Sequence, residues 1–239
     1  MERITVQDRS ERLTSLGQRV GPVAFARDRV MPVAAALEPL FPEAGLVRGS
    51  IIDCQGATAM SIALAVVAES SSSGSWLAVL GLPALGLRAA AEVGIALDRL
   101  VMVAEPDGLD EVAWANVMSA LIDGFDLILL RSTPRLRAGT ARRLQARVQA
   151  RGAVLVIVGN PGQFSCDVTI SGLSAEWEGL SHGAGRLVRR RLTLACEGRR
   201  IPCQRRTDVW LPGEGGGIEI AEPLVAEQAL ATVELLETG

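Results

Sequence analysis

The sequence predicts an α/β fold in which a mostly parallel sheet is flanked by helices and continued by antiparallel strands toward the C-terminus. Two observations carry this. Between residues 50 and 158 short apolar runs alternate with stretches of helical periodicity, the pattern of successive βαβ units. After Gly159 the helical periodicity stops, and only strand-like runs and turns follow. With 239 residues, 49% of them hydrophobic, the chain can build one large core, since single cores stop growing at roughly 250–300 residues.

The elements follow in order. After a polar start, a helical stretch is expected over Ala24–Leu40, broken by Pro32 and Pro39. Ser50–Cys54 is the first strand and leads through Gln55-Gly56 into an alanine-rich helix, Thr58–Ser70, with the serine run Ser70–Ser75 as a loop. Trp76–Leu80 is the second strand. A helix over Leu85–Val93 ends at Gly94, the residue type best suited to a helix C-terminus. Leu100–Ala104 is the third strand, and apolar residues at 109, 112, 113, 117, 120 and 121 then share one helix face. Asp126–Leu130 and Ala153–Val158 are continuous apolar runs, as strands covered on both faces must be. Between them Thr140–Arg151 is helical, with Ala141, Leu144 and Val148 as its buried stripe.

Beyond Gly159 the strand-like runs are Asp167–Ser171, Trp177–Leu180, Leu187–Cys196 and Arg206–Leu211. Gly213–Gly217 (GEGGG) reads as a flexible joint, and Leu224, Ala226, Leu230, Val233 and Leu235 line an acidic amphipathic helix. The expected organisation is an N-terminal helical segment over 1–40, a core domain over 41–212, and a glycine-linked acidic tail over 213–239.

Composition narrows the chemistry. All 24 basic residues are arginine; lysine and tyrosine are absent, and His182 is the single histidine. Schiff-base chemistry, a pyridoxal anchor and the lysine of a phosphate-binding P-loop are therefore excluded, and most general acid–base constellations with them. Cys54, Cys166, Cys196 and Cys203 show no CxxC spacing and read as free thiols of a cytoplasmic protein. No metal or other cofactor is expected, and His182 reads as an ordinary loop residue. No apolar run reaches the roughly 18 residues a membrane helix needs, and the opening MERITVQDRSER is too polar for a secretory signal.

The turn after the first strand, Gly56-Ala57-Thr58-Ala59-Met60-Ser61-Ile62-Ala63, sits where an α/β nucleotide-binding protein cradles phosphate on backbone N–H groups. Aligned with the P-loop pattern from Gly56, the second glycine is Ser61, the lysine is Ile62 and the magnesium-binding hydroxyl is Ala63. The fourth strand ends in Arg131, a cation where such proteins hold magnesium with an aspartate. The second strand ends in Gly81-Leu82-Pro83 without a carboxylate to activate water. The P-loop is degenerate, and the chain is expected not to be an ATPase.

Three segments resemble RecA recombinases. Pro83–Ile95, continuing through Leu97-Asp98-Arg99-Leu100 and Glu105-Pro106, looks like the stretch after the second RecA core strand. Gly45–Asp53 resembles the glycine-arginine-glycine lead into the first, and Gly185–Arg191 resembles the arginine-rich strand after the second DNA loop. The resemblance runs over roughly residues 40–212. Combined with the emptied ATPase positions, it looks most like the ImuA and ImuA′ group and its SulA-like relatives. It implies a RecA-like core serving as an accessory of the SOS mutasome in translesion mutagenesis. The implied partners are the Y-family polymerase-like protein ImuB and the error-prone polymerase DnaE2, with RecA and a second copy of the chain as further candidates. ImuB would dock through a segment mimicking the RecA N-terminal interaction motif, and the protein would join the nucleoid when engaged with DNA. A SulA-like division inhibitor acting on FtsZ is the alternative within the resemblance.

Charge segregation suggests a different role. Residues 1–130 carry 9 arginines and 16 acids, residues 131–206 carry 15 arginines and 4 acids, and residues 207–239 carry 7 acids and no base. Arg143, Arg147 and Arg151 fall in one arc of their helix, Arg135 and Arg137 precede it, and Arg189 and Arg191 lie in the second cluster. A groove lined by both clusters would hold single-stranded DNA in a salt-sensitive way. The scarcity of aromatic residues for base stacking makes this secondary to protein binding. Trp114 reads as core, and Trp177 and Trp210 lie in strands beside the arginines.

Overall fold

The computed structural model describes residues 29–104, 110–131, 135–181, 184–199 and 201–222. It opens with β1 (Val30–Met31) and β2 (Leu46–Val47), a short antiparallel ribbon. The alternating part is β3 (Ile51–Gln55), α1 (Ala59–Ser72), β4 (Leu77–Leu80), α2 (Leu87–Val93), β5 (Leu100–Val103), α3 (Glu111–Gly124), β6 (Leu127–Arg131), α4 (Ala138–Arg151) and β7 (Val154–Val158). Then come β8 (Val168–Ser181), β9 (Ala184–Gly198), β10 (Ile201–Trp210) and β11 (Glu219–Ile220). The main sheet has the order β11-β10-β9-β8-β3-β7-β6-β4-β5. From β8 to β5 the strands run parallel, and β9, β10 and β11 are each antiparallel to the preceding strand. The expected α/β class, with antiparallel strands at the C-terminal end, is the one observed.

Strand alternation splits the core into two layers. Ile52, Cys54, Val79, Leu129 and Val156 pack against α1 and α2. Ile51, Ala78, Ile128, Leu130 and Leu155 pack against α3 and α4. Trp114 on α3 is 1% exposed, so its assignment to the core holds. Helix α1 is apolar nearly all round because it is enclosed, with every residue from Ile62 to Ala68 buried. Glycine ends two helices as their chemistry requires: Gly94 has φ +108° and Gly152 has φ +70°. The Asp110 side chain caps α3 by accepting from the Ala113 N–H at 2.7 Å.

Four expectations change. Over its described part, Ala24–Leu40 is not a helix: Val30–Met31 is a strand and Glu38–Leu40 a 3₁₀ turn, with Pro32 between them and Pro39 within the turn. Met31, Val33, Leu37, Leu40 and Phe41 are buried in the α1 layer. Ser70–Ser72 continue α1, because the buried Ser70 hydroxyl donates to Pro32 O at 2.5 Å and Ser71 Oγ accepts from the Ala96 N–H at 3.2 Å. Asp167–Ser171 and Trp177–Leu180 belong to one long strand, β8, whose irregularity near Gly172–Ser174 interrupts the hydrophobic alternation. The Gly213–Gly217 joint is a hydrogen-bonded turn in which the Gly213 N–H donates to Gly217 O at 2.8 Å, and it leads into β11. The amphipathic helix expected over 224–235, and His182, lie outside the described residues.

The Asp123 carboxylate ties α3 to the last turns of α4. Asp123 accepts from Arg147 Nε at 2.8 Å and Arg151 Nε at 2.9 Å, and also from Arg147 Nη2. The Arg147 hydrogen bonds, more than any other cause, hold its carboxyl down at about 2. Because the folded value lies below the ordinary 3.8, this contribution to stability is present above about pH 4 and fades as pH falls toward 2. Asp123→Asn should therefore lower the thermal midpoint at pH 6, and the difference from the unmutated chain should vanish near pH 2, as read by circular dichroism melts across that range.

Candidate functional site at the carboxyl edge of the sheet

In a parallel sheet the carboxyl ends of the strands form the edge where ligands bind. Here β3 leads into the turn at Gly56, which has φ +85° and open space where a side chain would stand. Thr58 precedes α1 without making a side-chain cap. It is pressed against β8, where a Cβ on Gly172 would come within 2.5 Å of Thr58 Oγ1. Ser61 is half-buried, while Ile62 and Ala63 are fully buried in the α1 layer. The Ile62 side chain thus points into the core. β4 ends in Gly81-Leu82, with Leu82 buried, and β6 ends in an exposed Arg131. β7 ends at Gly159, whose N–H donates to Cys54 O at 3.3 Å.

Asp53 is the exception in this apolar setting. It is 1% exposed on the central strand; Oδ2 accepts from Gln55 Nε2 at 2.6 Å and Oδ1 has no hydrogen-bond partner among the described residues. Burial raises its pKa above the usual carboxylate value. The same effect pushes the Cys166 and Cys196 thiols up to about 12, and Cys54 higher, so these sulfurs stay protonated and are neither nucleophiles nor ready metal ligands. Cys203 is exposed.

The arginines are largely engaged. Arg137 approaches Glu111 at 3.8 Å, and Glu111 also accepts from Thr140 Oγ1 at 2.6 Å. Arg143 donates weakly to Thr140 Oγ1 at 3.4 Å. Arg147 and Arg151 share Asp123. Arg189 pairs with Glu178 at 2.7 Å and lies 3.9 Å from the centroid of the Trp210 ring. Arg191 pairs with Asp208 at 3.1 Å, its side chain 13% exposed. Arg135 is exposed and carries no ion pair among the described residues.

Topology keeps the two clusters apart. α4 runs from the carboxyl edge back to the opposite edge, carrying Arg147 and Arg151 away from the carboxyl-edge part of β9 that holds Arg189 and Arg191, so these two pairs do not line a common groove. Arg189 and Arg191 instead stand on a face shared with Trp210, a placement that the i, i+2 spacing on one strand already encoded. Sequence reasoning missed Asp53, although a carboxylate inside an apolar run was its signal. It also missed a cleft of about 510 Å³ at the amino edge, lined by Arg29, Phe41, Leu46, Arg48, Asp167 and Ile201. No His/Cys/Asp/Glu cluster suited to a metal occurs among the described residues, and no described helix is long and apolar enough to cross a membrane.

Two comparisons bear on the chain. The model of the MT3502 N-terminal domain matches residues 39–163, just over half of the sequence. The uncharacterized protein Rv3395c of Mycobacterium tuberculosis is 37% identical over 100 residues, covering 41% of this chain and 47% of that protein. The match thus spans about half the length of this relative.

For Asp53 the folded pKa lies above the unfolded one, so the native state holds its proton longer and stability falls as pH rises past about 4. Asp53→Asn should remove that fall and stabilise the chain at neutral pH by about 1–3 kcal/mol, the range for a buried polar group lacking a partner. Urea unfolding at pH 4 and pH 7 measures it, and the gain should be larger at pH 7.

Proposed function

Because the chain belongs to the MT3502 N-terminal domain family, and the described residues of its carboxyl edge lack the groups that phosphoryl transfer needs, we propose that it is a non-catalytic adaptor with a RecA-like core and a degenerate P-loop. It serves SOS-induced translesion synthesis by binding an ImuB-like Y-family polymerase homologue, together with the error-prone polymerase DnaE2. The observation that carries the reading is Ile62, fully buried on α1 where a P-loop protein needs an ammonium facing the β- and γ-phosphates. Arg131 at the end of β6 supports it by placing a cation where magnesium would be held.

The sheet also offers a place for a partner. β5 is an edge strand whose sole strand partner among the described residues is β4. Its sequence is Leu-Val-Met-Val, with Met102 40% exposed and Leu97 exposed just before it. An apolar edge with free backbone donors and acceptors accepts an added strand from another chain. Direct DNA contact is the weaker reading, because Arg137, Arg147, Arg151, Arg189 and Arg191 are all paired with carboxylates.

Titration with ATP at saturating magnesium should give neither saturable binding nor hydrolysis, and robust turnover overturns the reading. Met102→Glu should weaken capture of the purified polymerase-like partner by about tenfold, or 1.4 kcal/mol, while leaving the melting temperature unchanged. Unaltered capture removes β5 as the docking edge.

A further inference from the structure

Strand β8 leaves its pairing with β3 at Ser171, opposite Gln55, and from there to Ser181 it is paired with β9 alone. The two strands therefore project past the carboxyl edge of the sheet as an antiparallel arm. The register places Ala175 beside Leu192 and Trp177 beside Arg190, so these residues and Val188 share the face toward the α1 layer. Leu192 at the base of that face is fully buried, while Trp177 is 42% and Val188 41% exposed.

The two faces of the arm differ in charge. On the far face Glu178 answers Arg189, and Asp208 answers Arg191. On the near face Arg190 lies 5.2 Å from the Trp177 ring centroid and donates from Nε to Leu211 O at 2.8 Å, with no carboxylate paired to it among the described residues. Burial holds its pKa below the ordinary arginine value. A half-buried cation without an anion among the described residues, set beside exposed apolar side chains, calls for a partner that supplies both a carboxylate and apolar groups.

The chain carries such a segment, and it begins beside the arm. Residues 223–239 read PLVAEQALATVELLETG, with three acids, no base and five leucine or valine residues between 224 and 235. Arg191 holds the Glu222 carbonyl, and β11 brings the chain alongside β10. Pro223 has no N–H to give to the β10 edge, so the strand cannot simply be extended along the sheet. From β11 to Trp177 on β8 is three strand spacings, about 15 Å, within reach of 17 residues even when helical.

We propose that the near face of the arm is an intramolecular docking surface for residues 223–239, with leucines covering Trp177 and Val188 and a glutamate answering Arg190. This does not rest on the adaptor reading. The test uses the full chain with Trp76→Phe, which leaves Trp177 as the only exposed tryptophan among the described residues, Trp114 and Trp210 being buried. Acrylamide quenching is measured with and without Leu230→Asp and Leu235→Asp, substitutions outside the described core. Docking predicts a quenching constant that rises severalfold in the double variant, and a smaller rise for Glu227, Glu234 and Glu237 all changed to glutamine. Equal quenching with the intact and the substituted tail overturns the proposal. Protection that disappears on dilution also overturns it, because the cover would then be a second copy of the chain.

Discussion

Enclosure of α1 decides much of what this protein can do. The helix is pressed between the sheet, α2 and the segment around residues 31–41, and its solvent-facing stripe is almost absent. A helix buried this way must be apolar on nearly every side. Ile62 and Ala63, one turn from its start, are consequently packing residues. The same enclosure holds the Gly56 turn in place, since Thr58 is wedged against Gly172 of β8. Scaffold and binding loop compete for the same few positions at the start of this helix, and here the scaffold holds them.

The parallel half of the sheet was legible because its signal is redundant. Asp126–Leu130 and Ala153–Val158 each announce themselves by a continuous apolar run, and Gly94 and Gly152 mark helix ends by adopting the left-handed conformation that residues with a side chain resist. The segment before residue 41 was misread because Val33, Ala36, Leu37 and Leu40 have helical spacing but are buried from an irregular chain. The serines after Glu69 were misread for the opposite reason. Their polarity suggested a loop, yet Pro32 O and the Ala96 N–H satisfy the two buried hydroxyls inside a helix. Both errors come from partners distant in sequence.

The arginine block shows the same limit at the level of the site. A count of charges along the chain places 15 arginines in one segment, but charge becomes available only when nothing nearby neutralises it. Asp123, Glu178 and Asp208 lie on neighbouring elements in space, and two of them are outside the arginine-rich segment, Asp123 before it and Asp208 after it. Side-chain alternation on β9 then sorts Arg189 and Arg191 from Arg190, giving adjacent residues opposite surroundings.

Strand β3 has β7 on one side and β8 on the other, and β8 begins at Val168, beyond the residue at which the family match stops. A piece of chain ending at residue 163 would therefore expose a free edge in what is, in the full chain, the middle of the sheet, along with the apolar faces that β8 and β9 cover. Such an edge recruits other strands, and the contacts that close it join residues more than a hundred positions apart. A unit in which β3 has both neighbours, and the apolar faces beside it are covered, therefore extends at least through β8 and β9.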